Sequence, residues 1–286
     1  MTARFFVLGP IAWDTVLAVP RLPAPGGFVQ ADCATERPGG AGANVAVALA
    51  GAGASVHMIG YVGRDAYGNR LLADLRVAGV DVGHVVRRGG PTSHVIILVV
   101  PSGERTMVGV RADRLAEVSV PVGAPAAGDI VYVAGWRSAF APALAGLLDR
   151  GVTVVSVPAD GPPPPATYVV GSEGQLAGID PGQDPAYRRV LAGPTRAVVV
   201  TRGADGCRVY RAGSRVDVPA HAVSAVDATG AGDAFAAGLL LFLGRGADLD
   251  RAVRAGTAWA AHAVTVAQSR PPAWSQVAAA VTRAVE

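Results

Sequence analysis

Short runs of consecutive apolar residues, each closed by glycine or a polar residue, alternate along the chain with longer alanine-rich stretches of helical character. The runs at 4–9, 56–60, 130–133, 152–157, 168–170 and 197–201 read as strands with no polar face. Such strands are buried on both sides. The intervening stretches predict helices ending near Ala52 and Ala78, then over 138–150, from the glycine turn at 230–232 to about Leu243, and over 248–267 and 273–285. Ser172–Gln175 reads as the opening of one more helical piece, and an alternating run before Val226 reads as one more strand. Strand, helix and strand in this rhythm predict a parallel sheet covered by helices.

Two stretches depart from this rhythm. From Leu17 to Arg37, short alternating pieces are broken by Pro20, Pro23, Pro25, Gly26 and Gly27. Further on, the apolar runs 94–100 and 104–110 flank Pro101, Ser102 and Gly103, the pattern of a hairpin. Together they predict a small sheet beside the main one, over about 11–38 and 88–112, of the kind that covers a site and excludes water. No linker divides the chain, so residues 1–286 are expected to form a single domain.

Composition narrows the chemistry. All 25 basic residues are arginine, which rules out a Walker A lysine, a protein-kinase strand lysine and a Schiff-base lysine. Any phosphate chemistry has to run on backbone amides, arginine and metal. The net charge of +3 comes without a basic block or a nucleic-acid motif, so no nucleic-acid partner is expected. Cys33 and Cys207 lack metal-ligand spacing and read as free thiols of a reducing compartment. No run approaches 18 apolar residues and no basic leader precedes the first strand. The expectation is a soluble cytoplasmic protein without a membrane partner.

The chemistry concentrates in Val226–Asp227–Ala228–Thr229–Gly230–Ala231–Gly232–Asp233–Ala234–Phe235. Gly230 and Gly232 give the backbone freedom to aim several N–H groups at one point at the start of a helix, which makes an anion site. Asp233 adds a carboxylate at its edge. A phosphoryl group on the turn and a hydroxyl deprotonated by the acid would use both. A plain helix start, with Thr229 as N-cap and Asp233 favouring the dipole, would use the same residues. Upstream, Asp14 either accepts hydrogen bonds from substrate hydroxyls or closes an Asx-type turn. The small-residue segment Pro38–Asn44 lets a ligand approach the backbone, and Asn44 either binds a polyol or caps the helix. Asp65 reads as a helix cap. Arg105, after the hairpin turn, either reaches a substrate or is solvated.

Gly39–Asn44, as G-G-x-G-x-N, and Val226–Phe235 together resemble the two signatures of the ribokinase (PfkB-type) family of sugar and nucleoside kinases. Gly9–Asp14, Val62–Gly68, the hairpin and the Thr201–Gly206 turn follow in the same order, so the resemblance spans nearly the whole chain. It implies a ribokinase-like three-layer α/β/α fold with a mostly parallel sheet and a small β-sheet lid. It also implies transfer of the ATP γ-phosphate to a hydroxyl, with Mg2+. By resemblance, Asp233 is the general base and Gly230, Ala231 and Gly232 form the anion hole. Asp14, Gly40 and Asn44, with Arg105, bind the acceptor. Thr201, Gly203, Gly206, Asp227, Thr257 and Ala260 belong to the nucleotide site.

Three positions depart from the family pattern. Ser172–Glu173–Gly174–Gln175 stands where the family has N-x-x-E, which leaves Glu173 as the candidate metal ligand. Pro158–Ala159–Asp160 replaces a D-P-N-like turn. Residues 267–270 lack the glycine of the monovalent-cation loop, which puts such a cation in question. The expectation is an ATP-dependent kinase of a small sugar, a pentose or ketohexose. The rivals are a nucleoside kinase, with Trp13 and Phe28 lining a purine slot, and a binding protein without turnover. A dinucleotide-dependent dehydrogenase is more distant, since no fingerprint fits. Exposed lid edges would let two copies pair as a homodimer.

Overall fold

Burial on both faces explains the centre of the molecule, a nine-stranded sheet in a computed structural model that describes residues 3–110, 114–121, 123–159, 161–266, 268 and 270–286. The strands in chain order are β1 (Arg4–Leu8), β2 (Ala12–Ala18), β3 (Cys33–Gly39), β4 (Ser55–Gly63), β5 (Asp81–Arg88), β6 (Ser93–Val99), β7 (Arg105–Gly109), β8 (Ile130–Val133), β9 (Thr153–Ser156), β10 (Tyr168–Ser172), β11 (Ala197–Thr201), β12 (Cys207–Arg211) and β13 (Ser214–Val218). The helices are α1 (Ala41–Gly51), α2 (Ala66–Val77), α3 (Ala141–Asp149), α4 (Pro185–Leu191), α5 (Ala231–Gly244), α6 (Leu249–Ala263) and α7 (Trp274–Val285).

The large sheet runs β13-β12-β11-β10-β9-β8-β1-β4-β5 and is parallel except for the β11–β12–β13 hairpins. Because side chains alternate along a strand, each central strand feeds two cores. Phe5, Val7, Tyr132, Val155 and Val199 join α1, α2, α5, α6 and α7 on one side. Phe6, Leu8, Val131, Val133 and Val198 meet α3 and α4 on the other. This is the three-layer α/β/α arrangement.

A second sheet of four strands, β3-β2-β6-β7, stands apart from the first. Its register puts Asp14, Arg37, Val95, Ile97, Arg105 and Met107 on one face, and Trp13, Thr15 and His94 on the other. The chain enters this lid directly from β1, so Asp14 lies inside β2 and not in a turn beyond the main sheet. Asp65 does cap α2: its carboxylate accepts the Gly68 N–H at 2.8 Å. The same side chain accepts the Thr92 hydroxyl and N–H at 2.6 and 2.8 Å, just where the chain enters the lid strand β6.

Several local expectations are corrected. The stretch before Val226 is no strand; β13 ends at Val218 and the next eight residues run exposed or half-buried outside any ladder. Ser172–Gln175 starts no helix. The Ser172 N–H donates to Gln175 Oε1 at 2.8 Å and the Gln175 N–H to Ser172 Oγ at 3.2 Å, closing a turn on itself. The next helix waits for Pro185, where Asp184 caps it. β5 was not expected, because as an edge strand it is half exposed and lacks a continuous apolar run. α6 stops at Ala263. Among the described residues no helix is long and apolar enough to cross a membrane.

Candidate active site

The turn into α5 is braced from within. Asp227 Oδ1 accepts the Thr229 N–H at 2.8 Å and the Thr229 hydroxyl at 2.5 Å. Gly230 then takes φ 74°, a left-handed conformation that costs glycine little, and becomes the N-cap in place of Thr229. The Ala231 N–H turns back to the Ala228 carbonyl at 3.3 Å. Among the described residues, the N–H groups of Gly230, Gly232 and Asp233 have no intramolecular acceptor. Three free donors at the positive end of a 14-residue helix form an anion site. A Cβ added to Gly232 would meet nothing within 4 Å. Its glycine therefore keeps open a space that the protein itself does not fill.

Asp233 follows on the same helix turn, half-buried. Its Oδ2 accepts the Asn44 Nδ2–H at 2.8 Å, from the first turn of α1. Burial pushes the carboxyl up to about 7; the Asn44 hydrogen bond acts against this and the nearby Asp14 charge adds to it. Asp14, 7% exposed, is likewise raised by burial, with Arg37, then His94 and Arg270, pulling the other way. Tyr132 of β8 lies close enough that the Asp233 charge reinforces the effect of burial, raising the phenol far above its ordinary value. The paired glycines make this crowding feasible. A Cβ at Gly39 would overlap the Asp14 carboxylate, and Gly40, at φ 95°, would bring one to 2.5 Å from the Pro10 carbonyl. The structure thus brings Asp14, Gly40, Asn44 and Asp233 together between lid and sheet.

Beside the turn lies a cavity of about 390 Å³. Thr201, Gly203, Gly206, Thr257 and Ala260 line it together with Ala231 and Gly232; Asp227 stands next to it in sequence but is not on its wall. The Thr257 hydroxyl donates its proton to the Val253 carbonyl at 2.9 Å within α6, which leaves it an acceptor toward the cavity. Other lining residues were missed from sequence: Ala220–Val223, including His221, and Phe235. The alternation of small and apolar residues in 219–226 reads as a strand, which hid a wall-forming loop.

The remaining candidates are placed as follows. Arg105 reaches down from β7, with Nη1 3.2 Å from Asp227 Oδ1. Glu173 is exposed, and its N–H donates to the carbonyl of cavity-lining Thr201 at 2.9 Å. Among the described residues no group of three or more His, Cys, Asp or Glu could hold a metal. A Mg2+ that arrives on nucleotide phosphates needs only one or two carboxylates; Glu173 is not on the cavity wall but is one backbone hydrogen bond from Thr201, which is. Asp160, and residues 267 and 269 of the candidate cation loop, lie outside the described residues. Of the aromatics suggested for a purine slot, Trp13 packs on Tyr67 at 5.3 Å, on the lid face opposite Asp14, and Phe28 is 83% exposed.

A sequence profile described as pfkB family carbohydrate kinase matches residues 3–149 and 182–276. The chain is 32% identical over 268 residues to an ATP-dependent ribose-1-phosphate kinase of Halopiger xanaduensis, covering 87% of this chain and 88% of that one. It is 34% identical over 244 residues to fructokinase-1 of Oryza sativa, covering 74% and 76%. Among solved structures, a ribokinase of Thermotoga maritima superimposes with a TM-score of 0.82 at 23% identity, covering 99% of this chain and all of that one. An Arabidopsis thaliana ribokinase complexed with ribose and ATP does so with a TM-score of 0.77 at 22% identity, covering 100% and 99%. The signature turn, the paired glycines and all four strands of the small sheet lie within the residues the profile matches, and the chain belongs to the pfkB family of carbohydrate kinases, phosphotransferases with an alcohol acceptor.

Proposed function

We propose that this protein transfers the γ-phosphoryl group of ATP to a hydroxyl of a small sugar, a pentose or ketohexose. One observation carries the reading. A carboxyl held near neutrality, Asp233, sits on the same helix turn as three unpaired N–H groups, between a buried polar cluster and a nucleotide-sized cavity. A base tuned close to working pH, next to fixed donors for an anion, is what in-line phosphoryl transfer asks of a protein.

In this reading Asp14, Gly40 and Asn44 hold the acceptor, and Thr201, Gly203, Gly206, Thr257 and Ala260 hold the nucleotide. Asp233 takes the proton of the attacking hydroxyl. The acceptor oxygen bonds to the γ-phosphorus as the bond to the β,γ-bridging oxygen breaks and ADP leaves. The N–H groups of Gly230, Gly232 and Asp233 stabilise the charge on the group in transit, whereas that of Ala231 is turned to the Ala228 carbonyl. Glu173 would hold a Mg2+ brought in with the phosphates, and such an ion would neutralise part of that charge.

The names of the relatives, a ribose-1-phosphate kinase and a fructokinase, support a pentose or ketohexose frame. The placement of Trp13 and Phe28 away from the acceptor argues against a nucleoside. A coupled assay for ADP with ribose, fructose, ribose 1-phosphate and adenosine tests this. Turnover with a sugar and little with adenosine is expected. Preference for adenosine would overturn the acceptor. Ligand-dependent thermal stabilisation without ADP release would overturn catalysis.

A further inference from the structure

Arg105 and Asp227 belong to different sheets and distant parts of the chain, yet they form an ion pair at 3.2 Å. Arg105 opens β7, the edge strand of the lid, on the same face as Asp14. Asp227 is the acid whose Oδ1 also accepts both Thr229 hydrogen bonds, and so fixes the backbone immediately before the free N–H groups begin at Gly230. Both side chains are about three-quarters covered, at 23% and 24% exposure, so the pair is less screened than a surface pair.

The Asp227 carboxylate presents a conflict. As a hydrogen-bond acceptor it shapes the turn; as an anion it opposes the phosphates that the turn is shaped to hold. A cation delivered to Asp227 removes the second effect and keeps the first. The chain has no lysine for this task, and no other cation is paired with Asp227 among the described residues.

We propose that Arg105 is a positioning residue that acts through Asp227 and not on the acceptor: when the lid lies over the site, its guanidinium neutralises and fixes the acid bracing the anion turn. This rests on the kinase reading above. Because Asp14 and Arg105 share one lid face, an acceptor that draws Asp14 down also seats Arg105. Acceptor binding and phosphate binding are thereby coupled, and such couplings change affinity by about 5- to 150-fold.

The test compares Arg105→Ala, Arg105→Lys, Asp227→Asn and the double variant Arg105→Ala/Asp227→Asn. Asparagine keeps the acceptor oxygen for Thr229 and removes only the charge. ADP affinity by titration calorimetry and steady-state kinetics are both read. Arg105→Ala is expected to weaken ADP binding and lower kcat/KM for ATP by about tenfold and, because the coupling is reciprocal, to weaken acceptor affinity by a comparable factor when nucleotide is bound. Arg105→Lys restores part of the loss. In the double variant, Asp227→Asn recovers much of what Arg105→Ala lost, because no uncompensated charge remains. Additive losses in the double variant, or a loss confined to the acceptor KM, would overturn the proposal. So would a lowered melting temperature with nucleotide affinity unchanged. If wild type turns over no acceptor but the ADP pattern holds, the kinase reading fails while the pairing role stands.

Discussion

A Cβ at Gly232 would touch nothing within 4 Å, whereas one at Gly230 would have to be carried at φ 74°. The two glycines therefore predict different phenotypes. Gly230→Ala is expected to lose roughly 1–2 kcal/mol of stability to left-handed strain. Gly232→Ala is expected to keep its stability to within about 0.5 kcal/mol while binding ADP at least about tenfold more weakly, since the methyl enters space meant for phosphate. Chemical denaturation and calorimetry on both variants check this. At Asp233 the sign of the pH effect follows from a carboxyl raised to about 7. The base works ionised, so kcat at saturating acceptor should rise with pH through about 7. Asn44 donates to the charged form, so Asn44→Ala should move that limb upward by about one unit. Stability runs the other way. A folded pKa raised from the ordinary 3.8 contributes stability below that value and loses it as pH rises to about 7. The neutral Asp233→Asn variant should therefore melt above wild type at pH 8 and level with it near pH 4, with an upper bound of about 4 kcal/mol at roughly 1.4 kcal/mol per unit.

α2 and the lid share a joint at Asp65, which caps the helix and holds Thr92 by hydroxyl and N–H. Asp65→Ala removes a cap and leaves the buried Thr92 hydroxyl with one partner fewer. A loss of about 2–3 kcal/mol in chemical denaturation is expected, and a change below about 0.5 kcal/mol would contradict the joint. Elements were legible from sequence in proportion to their burial. Strands β1, β8 and β11 run through the middle of the sheet and are apolar without interruption, so their bounds stand out. β5 is an edge strand with one exposed face, and its weak alternation does not separate it from a loop. At 172–175 and 219–226 the local pattern misleads outright. In the first, two side chains satisfy the backbone that a helix would have used. In the second, alternation that suggests a strand serves a cavity wall.

The molecule as a whole places its chemistry where a lid sheet meets the C-terminal ends of the large sheet's strands, as at Leu8 of β1 and Thr201 of β11. The pieces written as contiguous strings, Gly39–Asn44 and Val226–Phe235, could be read directly, because glycine freedom, helix start and acid lie within ten residues of one another. What joins distant segments could not: Asn44 on Asp233 and Arg105 on Asp227 are products of topology with no spacing to announce them. In the proposed function, a phosphate held by unpaired amides meets an alcohol activated by Asp233. The most direct test is a comparison of wild type and Asp233→Asn, with ADP affinity measured alongside single-turnover phosphoryl transfer to the best sugar of the panel. Retained ADP binding with transfer slowed by about 10²- to 10⁴-fold is expected; transfer at near wild-type rate would contradict the account.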